Sequence, residues 1–142
     1  MVDKEKNLKV LFIDDDKATN FLNKHIAKNN DNISSIVLLD SGFEGISYIK
    51  NCLKNEEEKP NIVFLDINMP AMNGWEFLEN FYALGKDLVD DINVIILSSS
   101  NDPKDLTKFN NYDTLLDFIR KPLDKQVFNS ALMKVKNNTS SY

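Results

Sequence analysis

The sequence predicts an α/β protein built on one doubly wound parallel sheet. Short apolar runs alternate five times with stretches of helical period, at the spacing of strand–helix units. The run at residues 62–65 is apolar at every position, which is typical of a central strand buried on both faces. Right-handed crossovers between successive strands then make the sheet parallel and place helices on both of its faces.

The composition excludes several classes of protein. At 142 residues the chain fits one domain. A net charge of -5 argues against a nucleic-acid surface, since phosphate binding needs clustered lysine and arginine. The single cysteine, Cys52, excludes an internal disulfide and a cysteine-cluster metal site. The first residues hold no apolar signal segment, and no apolar run approaches the roughly 18 residues of a membrane span, so we expect a cytoplasmic protein.

The first strand is expected at residues 8–13, an apolar run that ends in three aspartates, Asp14-Asp15-Asp16. Asp16 is suited to cap the helix that follows, because its side chain can accept from backbone N–H groups of the first turn. Four apolar residues of this helix recur on one side, and we expect that side to face the core: Ala18, Phe21, Leu22 and Ile26.

The second and third strands are expected at residues 33–39 and 62–65. Ser41 and Glu44 have the spacing of a capping box, in which each side chain accepts from the backbone of the other residue. Asn73 is suited to cap the helix after the third strand. The residues expected to face inward from these two helices are Ile46, Ile49, Leu53, Trp75, Leu78, Phe81 and Tyr82.

The fourth and fifth strands are expected at residues 93–97 and 115–119. Asp102 followed by Pro103 is typical of a helix start, and Asp124 is expected to begin the last helix. The inward-facing residues of these helices are expected to be Leu106 and Phe109 in the first, and Val127, Phe128, Ala131, Leu132 and Val135 in the second.

Residues of chemical interest follow four of the predicted strands. Asp14 and Asp15 follow the first, Asp66 the third and Ser98 the fourth, while Lys121 comes just after the fifth. The carboxyl ends of parallel strands lie at one edge of the sheet, so these residues converge there. Three carboxylates at one place repel each other, and a hard divalent cation such as Mg²⁺ relieves that repulsion.

This set matches what a transferred phosphoryl group needs. Asp66 can attack phosphorus and form an aspartyl phosphate. The three equatorial oxygens of the transferring group carry negative charge, which Mg²⁺, the Lys121 ammonium and the Ser98 hydroxyl would meet. The register of the hydroxyl is open at this stage, since Ser99 or Ser100 could take the place of Ser98.

The chain resembles a response-regulator receiver domain of two-component signalling. The residues that carry the resemblance are Phe12-Ile-Asp14-Asp15-Asp16, Leu65-Asp66-Ile-Asn-Met-Pro70-Ala-Met-Asn-Gly74, Ser98-Ser99 and Arg120-Lys121-Pro122. The resemblance implies a flavodoxin-like sheet of five strands in the order 2-1-3-4-5, with five helices. It also implies a receiver domain over residues 1–136, which leaves a polar tail over residues 137–142.

The resemblance implies roles for individual residues. Asp66 would be the phosphoacceptor, and Mg²⁺ would be held by Asp14, Asp15, Asp66 and the backbone carbonyl of Asn68. Ser98 would be the hydroxyl of the switch.

Two further residues complete the implied site. Lys121 would be the cationic partner of the phosphate, and the Lys121-Pro122 peptide would be cis. Phe118 stands where receivers often place an aromatic switch residue. The chain departs from the family pattern at Asn73, where an aspartate is common, and at Asn110–Asp113, which replaces the usual Gly-Ala.

A stand-alone receiver is the expected function. It would take a phosphoryl group from a sensor histidine kinase or a phosphotransfer protein, and it would signal through a protein contact rather than act as an enzyme on other substrates. The sequence ends after the fifth predicted helix, so we expect no attached output domain. The face formed by the fourth helix, fifth strand and fifth helix is the expected contact for a downstream protein, with no nucleic-acid or membrane partner.

Two alternatives are open. A phosphohydrolase of the haloacid dehalogenase type would explain Asp14-x-Asp16, a later serine and a later lysine. Against it, Ala18 replaces the expected Thr or Val, only Asp124 follows the lysine as an acidic candidate, and Asp66 is left without a role. The second alternative is a receiver-like module that binds partners without phosphorylation, and the complete set of acids, hydroxyl and lysine argues against it.

Overall fold

A computed structural model describes residues 8–139 of the chain. The strands are β1 (Leu8–Ile13), β2 (Ile33–Leu39), β3 (Ile62–Leu65), β4 (Asn93–Ser98) and β5 (Leu115–Arg120). The helices are α1 (Lys17–Ala27), α2 (Gly42–Lys54), α3 (Gly74–Ala83), α4 (Lys86–Val89), α5 (Pro103–Asn110) and α6 (Lys125–Thr139).

The five strands form one parallel sheet in the order β2-β1-β3-β4-β5. This confirms the predicted doubly wound, flavodoxin-like architecture. All three central strands lie between two neighbours, and β3 and β4 are buried along their whole length. The strand bounds agree with the sequence prediction, except that β4 and β5 each extend one residue further, to Ser98 and Arg120.

Each face of the sheet carries its own apolar core, because successive side chains of a strand point to opposite faces. Leu11 and Ile13 of β1 belong to the core beneath α2 and α3. Phe12 belongs to the core beneath α1 and α6, where its ring stacks on Phe64 at a centroid distance of 5.0 Å. Phe128 of α6 packs against Phe64 at 5.7 Å and closes this aromatic cluster.

The predicted number of helices is wrong, because six helices lie within residues 8–139. The additional helix, α4, is a single turn of four residues that sequence periodicity cannot detect. It follows Gly85, whose φ of +134° is accessible mainly to glycine. The helix expected as the fourth is therefore α5, and the one expected as the fifth is α6.

The predicted inner face of α1 is wrong except at Ile26, which packs against the core. Phe21 is 67% exposed and Leu22 is 58% exposed. The buried side of the helix instead carries Asn20, Asn23 and Ala27. The Asn20 amide donates to the carbonyls of Asp14 and Leu39, at 2.9 and 3.1 Å, so a polar residue with partners replaces the apolar contact that the sequence suggested.

The buried side of α5 also differs from the prediction at one residue. Leu106 is 50% exposed, whereas Asp105 and Phe109 are partly buried. The capping box at α2 is incomplete, since Ser41 accepts from the Glu44 N–H but Glu44 accepts from the N–H of Asp40. The complete capping box lies at α3, between Asn73 and Glu76.

The last helix continues through Thr139, and the boundary between domain and tail at residue 137 stays a prediction. Residues 140–142 of that tail, and residues 1–7 of the predicted domain, lie outside the described residues. None of the helices in the described range has the length and hydropathy needed to cross a membrane.

Candidate functional site

The carboxyl edge of the sheet brings together four of the residues that the sequence singled out. Carboxylate oxygens of Asp14, Asp15 and Asp66 all lie within 4.8 Å of one another. The Lys121 ammonium lies 2.6 Å from Asp14 Oδ2 and 3.5 Å from Asp66 Oδ1. With three carboxylates and one ammonium, the cluster has a formal charge of -2 when all four groups are ionised.

Asp66 is fixed by backbone contacts on both sides. Its own N–H donates to the Ile13 carbonyl of β1, and its Oδ1 accepts from the Ile67 N–H at 2.9 Å. The loop then turns back, because the Gly74 N–H donates to the Ile67 carbonyl at 2.8 Å. A Cβ at Gly74 would lie 2.5 Å from the Asp66 carbonyl oxygen, so only glycine allows α3 to begin this close to the acidic site.

Asp14 is almost fully buried, with 2% of its surface exposed. Its Oδ1 accepts from the Asp16 N–H at 2.9 Å. Its Oδ2 is buried and has no aligned hydrogen-bond donor among the described residues, and the ion pair with Lys121 holds it by charge. A buried carboxylate oxygen with an unused lone pair is suited to coordinate a cation.

The charges in the site change the acidity of its groups. Burial, together with repulsion by Asp14, raises the pKa of Asp66 from 3.8 to about 6, although Lys121 and the Ile67 N–H act in the opposite direction. Burial alone would lower the pKa of Lys121, but its contacts with Asp14 and Asp66 outweigh burial and raise it. The lysine is therefore a fixed cation beside a carboxylate that is costly to ionise.

Ser98 lies at the end of β4 with none of its surface exposed. Its carbonyl accepts from the Lys121 N–H at 3.0 Å, which ties the end of β4 to the lysine. Its Oγ accepts from the Ser100 N–H at 3.1 Å. Ser99 is exposed, and Ser100 turns toward α5, so Ser98 is the serine of this segment that sits at the strand end.

The remaining predicted residues occupy distinct positions. The Lys121-Pro122 peptide is cis. Phe118 is partly buried in β5, where its ring packs edge-on against Phe109 at 5.6 Å. Asn68 is exposed in the loop after Asp66, and the role of its carbonyl stays a prediction.

The cluster fits a hard divalent cation. Mg²⁺ prefers oxygen ligands and takes a few carboxylates while retaining water. Two carboxylates within 4.8 Å repel each other by at least about 3 kcal/mol at an effective dielectric near 20. A cation between Asp14, Asp15 and Asp66 would remove that repulsion and would use the lone pair of Asp14 Oδ2.

Sequence reasoning missed a polar contact beside this site. Trp75 was expected only to pack, yet its Nε1 donates to Asp105 Oδ1 at 2.9 Å, and Asp105 also accepts from Ser100 Oγ. Neither residue belongs to a recognisable motif. Only the fold brings α3, α5 and the loop after β4 together.

Comparison with known proteins identifies the family. The model of the response regulator receiver domain matches residues 10–133. The crystal structure of a two-component response regulator from Cytophaga hutchinsonii has a TM-score of 0.81, with 36% sequence identity, and the match covers 91% of this chain and 96% of that chain.

Curated proteins give the same result. The probable C4-dicarboxylate response regulator DctR of Bacillus subtilis (strain 168) is 29% identical over 131 residues, which is 92% of this chain and 53% of that protein. The chemotaxis protein CheY of Listeria monocytogenes is 36% identical over 76 residues, 54% of this chain and 58% of that protein. The chain spans about half the length of the DctR proteins that it matches.

The family match includes Asp14, Asp15, Asp66, Ser98 and Lys121. They lie at or just after the ends of strands in a sheet with the strand order 2-1-3-4-5, and Asp14, Asp15 and Asp66 form the acidic cluster at its carboxyl edge. The chain therefore belongs to the response regulator receiver domain family of two-component signalling.

Proposed function

We propose that this receiver accepts a phosphoryl group on Asp66 from the phosphohistidine of a sensor kinase or phosphotransfer protein, in a reaction that requires Mg²⁺. The observation that carries the proposal is the cluster of Asp14, Asp15 and Asp66 with Lys121 in contact with two of the three carboxylates. A buried carboxylate beside a fixed cation is a suitable nucleophile for phosphorus.

The bonds that form and break in the transfer belong to Asp66 and the donor. A carboxylate oxygen of Asp66 attacks phosphorus, and the bond from phosphorus to the imidazole nitrogen of the donor breaks. The electron pair of that bond stays on the nitrogen. Lys121 and Ile67 contact Oδ1, which leaves Oδ2 as the attacking oxygen.

Two side chains would stabilise the phosphoryl oxygens. The Lys121 ammonium is within ion-pair distance of Asp66, and Ser98 can donate its hydroxyl proton while its Oγ still accepts from Ser100. Asp14, Asp15 and the Asn68 carbonyl would hold Mg²⁺, which supplies positive charge to the transferring group. The reaction ends on the protein itself, so the domain acts as a signalling switch that modifies only itself.

The output surface is proposed to be α5, β5 and α6. Phe118 lines a cavity of about 340 Å³, together with Ser100, Leu106 and Arg120. This cavity lies between β5 and the loop that follows Ser98. A bond from the Ser98 hydroxyl to the phosphoryl group would act on that loop through the Ser100 N–H and so on the space next to Phe118, which provides a route from Asp66 to the surface.

The donor protein is proposed to dock on the exposed side of α1. A groove of about 180 Å³ runs between α1 and the segment after β5, and Leu22, Asn23, Lys121 and Pro122 are among its lining residues. The groove shares Lys121 with the acidic site, so a protein seated there would reach Asp66.

Intact-protein mass after incubation with acetyl phosphate tests this function. With Mg²⁺ the wild type and an Asp31→Asn control should each gain one phosphoryl mass that is lost in mild alkali. Asp31 is an exposed carboxylate outside the site. Asp66→Asn should gain nothing, and chelation of Mg²⁺ should abolish the adduct in every variant.

Three results would contradict the proposal. An adduct that persists in Asp66→Asn places the phosphate elsewhere. Hydrolysis of an aryl phosphate that depends on Asp14 but not on Asp66 indicates a phosphohydrolase of the haloacid dehalogenase type. No adduct from acetyl phosphate or from a panel of phosphorylated kinases indicates a module that binds partners without phosphorylation.

A further inference from the structure

Helix α5 is attached to the rest of the domain through one face. None of its eight residues is buried, and only Asp105 and Phe109, four positions apart, are partly buried. Phe109 makes the apolar contact, packing edge-on against Phe118. The other attachment is polar and runs through the carboxylate of Asp105.

That carboxylate accepts hydrogen bonds from two separate elements. Asp105 Oδ1 accepts from Trp75 Nε1 of α3 at 2.9 Å, and Asp105 Oδ2 accepts from Ser100 Oγ in the loop after β4. The Ser100 N–H donates to Ser98 Oγ at 3.1 Å. The hydroxyl of Ser98 is therefore connected through Ser100 and Asp105 to Trp75.

Trp75 lies at the end of this series of hydrogen bonds, and its side chain is held in place by burial and stacking. It is 6% exposed, and its ring stacks on Tyr112 at a centroid distance of 5.9 Å. It directly follows Gly74, whose close approach to the Asp66 carbonyl fixes the start of α3. A buried indole N–H needs an acceptor, and a carboxylate is a strong one.

The Ser98 hydroxyl needs such support because its side chain has more than one staggered rotamer. Its backbone is held by the Lys121 N–H, but that bond does not orient Oγ. The hydrogen bond from the Ser100 N–H orients Oγ, and the Ser100 side chain in turn donates to Asp105.

We propose that Asp105 is a positioning residue for the Ser98 hydroxyl. The Trp75 indole holds the Asp105 carboxylate in place, Asp105 holds Ser100, and the Ser100 N–H orients the hydroxyl. The proposal rests on phosphoryl transfer to Asp66. Without the Asp105 carboxylate, Ser100 loses its acceptor and the loop after β4 loosens. The Ser98 hydroxyl then points toward the phosphoryl oxygens in a smaller fraction of molecules, and phosphorylation slows.

The test compares the rate of Asp66 phosphorylation by acetyl phosphate and Mg²⁺ in Asp105→Ala, Ser98→Ala and the double variant. Asp105→Ala should slow the wild-type reaction by about three- to tenfold, less than the loss of a direct donor. In the Ser98→Ala background the same change should alter the rate by less than about twofold, because the two residues act through one hydroxyl. Equal slowing in both backgrounds would overturn the proposal, as would an unchanged rate in Asp105→Ala.

Two further variants separate positioning from general damage to α5. Asp105→Asn keeps an acceptor for Trp75, and its amide N–H can donate to Ser100 Oγ in place of the bond that Asp105 accepts, so its rate should stay within about twofold of the wild type. Asp102→Ala removes the side chain that caps the same helix, but leaves the Asp105 contacts in place, and should not slow the reaction. Slowing by Asp102→Ala equal to that of Asp105→Ala would overturn the positioning role.

Hydrogen exchange of the Ser100 amide gives a readout that does not depend on phosphate. In the unphosphorylated protein, Asp105→Ala should increase the exchange rate about tenfold, while Asp102→Ala should leave it unchanged. If the wild type accepts no phosphate, the proposed function fails, and the exchange rates still decide whether Asp105 holds Ser100. Equal exchange in the wild type and Asp105→Ala would show that it does not.

Discussion

The Lys121 ammonium lies 2.6 Å from Asp14 Oδ2, a carboxylate oxygen that is buried and has no aligned hydrogen-bond donor among the described residues. Lys121→Met removes this cation and leaves a buried charge uncompensated. We expect it to lower the free energy of unfolding by about 3 kcal/mol in metal-free buffer at pH 7.5.

Lys134→Met is the matched control for that change. Lys134 pairs with Asp117 on the surface at 2.6 Å, with half of the lysine side chain exposed. Exposed pairs contribute at most about 1 kcal/mol. Urea unfolding of both variants measures the difference, and equal losses would contradict a special role for the buried pair.

The raised pKa of Asp66 predicts that the metal-free domain loses stability as pH rises. The folded state binds the Asp66 proton up to about pH 6, whereas the unfolded state releases it near 3.8. Between these values the folded state holds more protons, so its stability falls toward neutral pH. Asp66→Asn should therefore be more stable than the wild type by about 2–3 kcal/mol at pH 7.5 and should match it near pH 3.5. A difference that does not depend on pH would contradict the shifted pKa.

Mg²⁺ should stabilise the domain more at pH 7.5 than at pH 5, because protons compete for Asp66. At about 100 times its dissociation constant, the ion should add about 2.7 kcal/mol. Thermal unfolding with and without Mg²⁺ measures this increment. Asp15→Asn should reduce it, whereas Asp31→Asn should keep it, and an equal increment in both variants would place the ion elsewhere.

Gly74→Ala should damage the site through the backbone. The new Cβ would lie 2.5 Å from the Asp66 carbonyl oxygen and 2.9 Å from the Ile67 Cα, and neither can move without shifting the loop. We expect a loss of about 1–3 kcal/mol and slower phosphorylation. Gly42→Ala is the control, because its Cβ meets the flexible side chain of Met72. Urea unfolding and the phosphorylation rate measure both effects, and equal loss of activity in the two variants would contradict this account.

Leu22→Ser should separate the protein donor from a small donor. Leu22 is 58% exposed and lines the groove next to Lys121, so the change should leave folding and acetyl phosphate reactivity intact. Transfer from a phosphorylated kinase should slow by about tenfold, which corresponds to about 1.4 kcal/mol of lost contact. Met133→Ser, on the exposed side of α6, should have no effect on either reaction. Equal slowing with both donors would contradict docking at α1.

The sequence predicted most of the fold because strands and caps are local features. The apolar runs gave β1, β2 and β3 with their observed bounds, and the caps at Asp16, Asn73 and Asp102 accept the expected backbone N–H groups. The four-residue α4 escaped prediction because a single turn has no period to detect.

Which side of a helix is buried depended on the tertiary structure. In α1 the sequence favours Phe21 and Leu22 as core residues, yet Asn20 and Asn23 are buried instead. The Asn20 amide satisfies two carbonyls at the carboxyl ends of β1 and β2, and this polar contact sets the rotation of the helix. Hydrophobic periodicity does not record such a contact.

The alternation of strands and helices in the sequence by itself determined a parallel sheet and the convergence of Asp14, Asp15, Asp66 and Lys121, because parallel strands must end at one edge of the sheet. Only the tertiary structure decided how those charges pair and how Ser98 is connected to Trp75. Those contacts join residues far apart in the chain through distances of about 3 Å, and no local pattern of residues specifies a distance between separate elements.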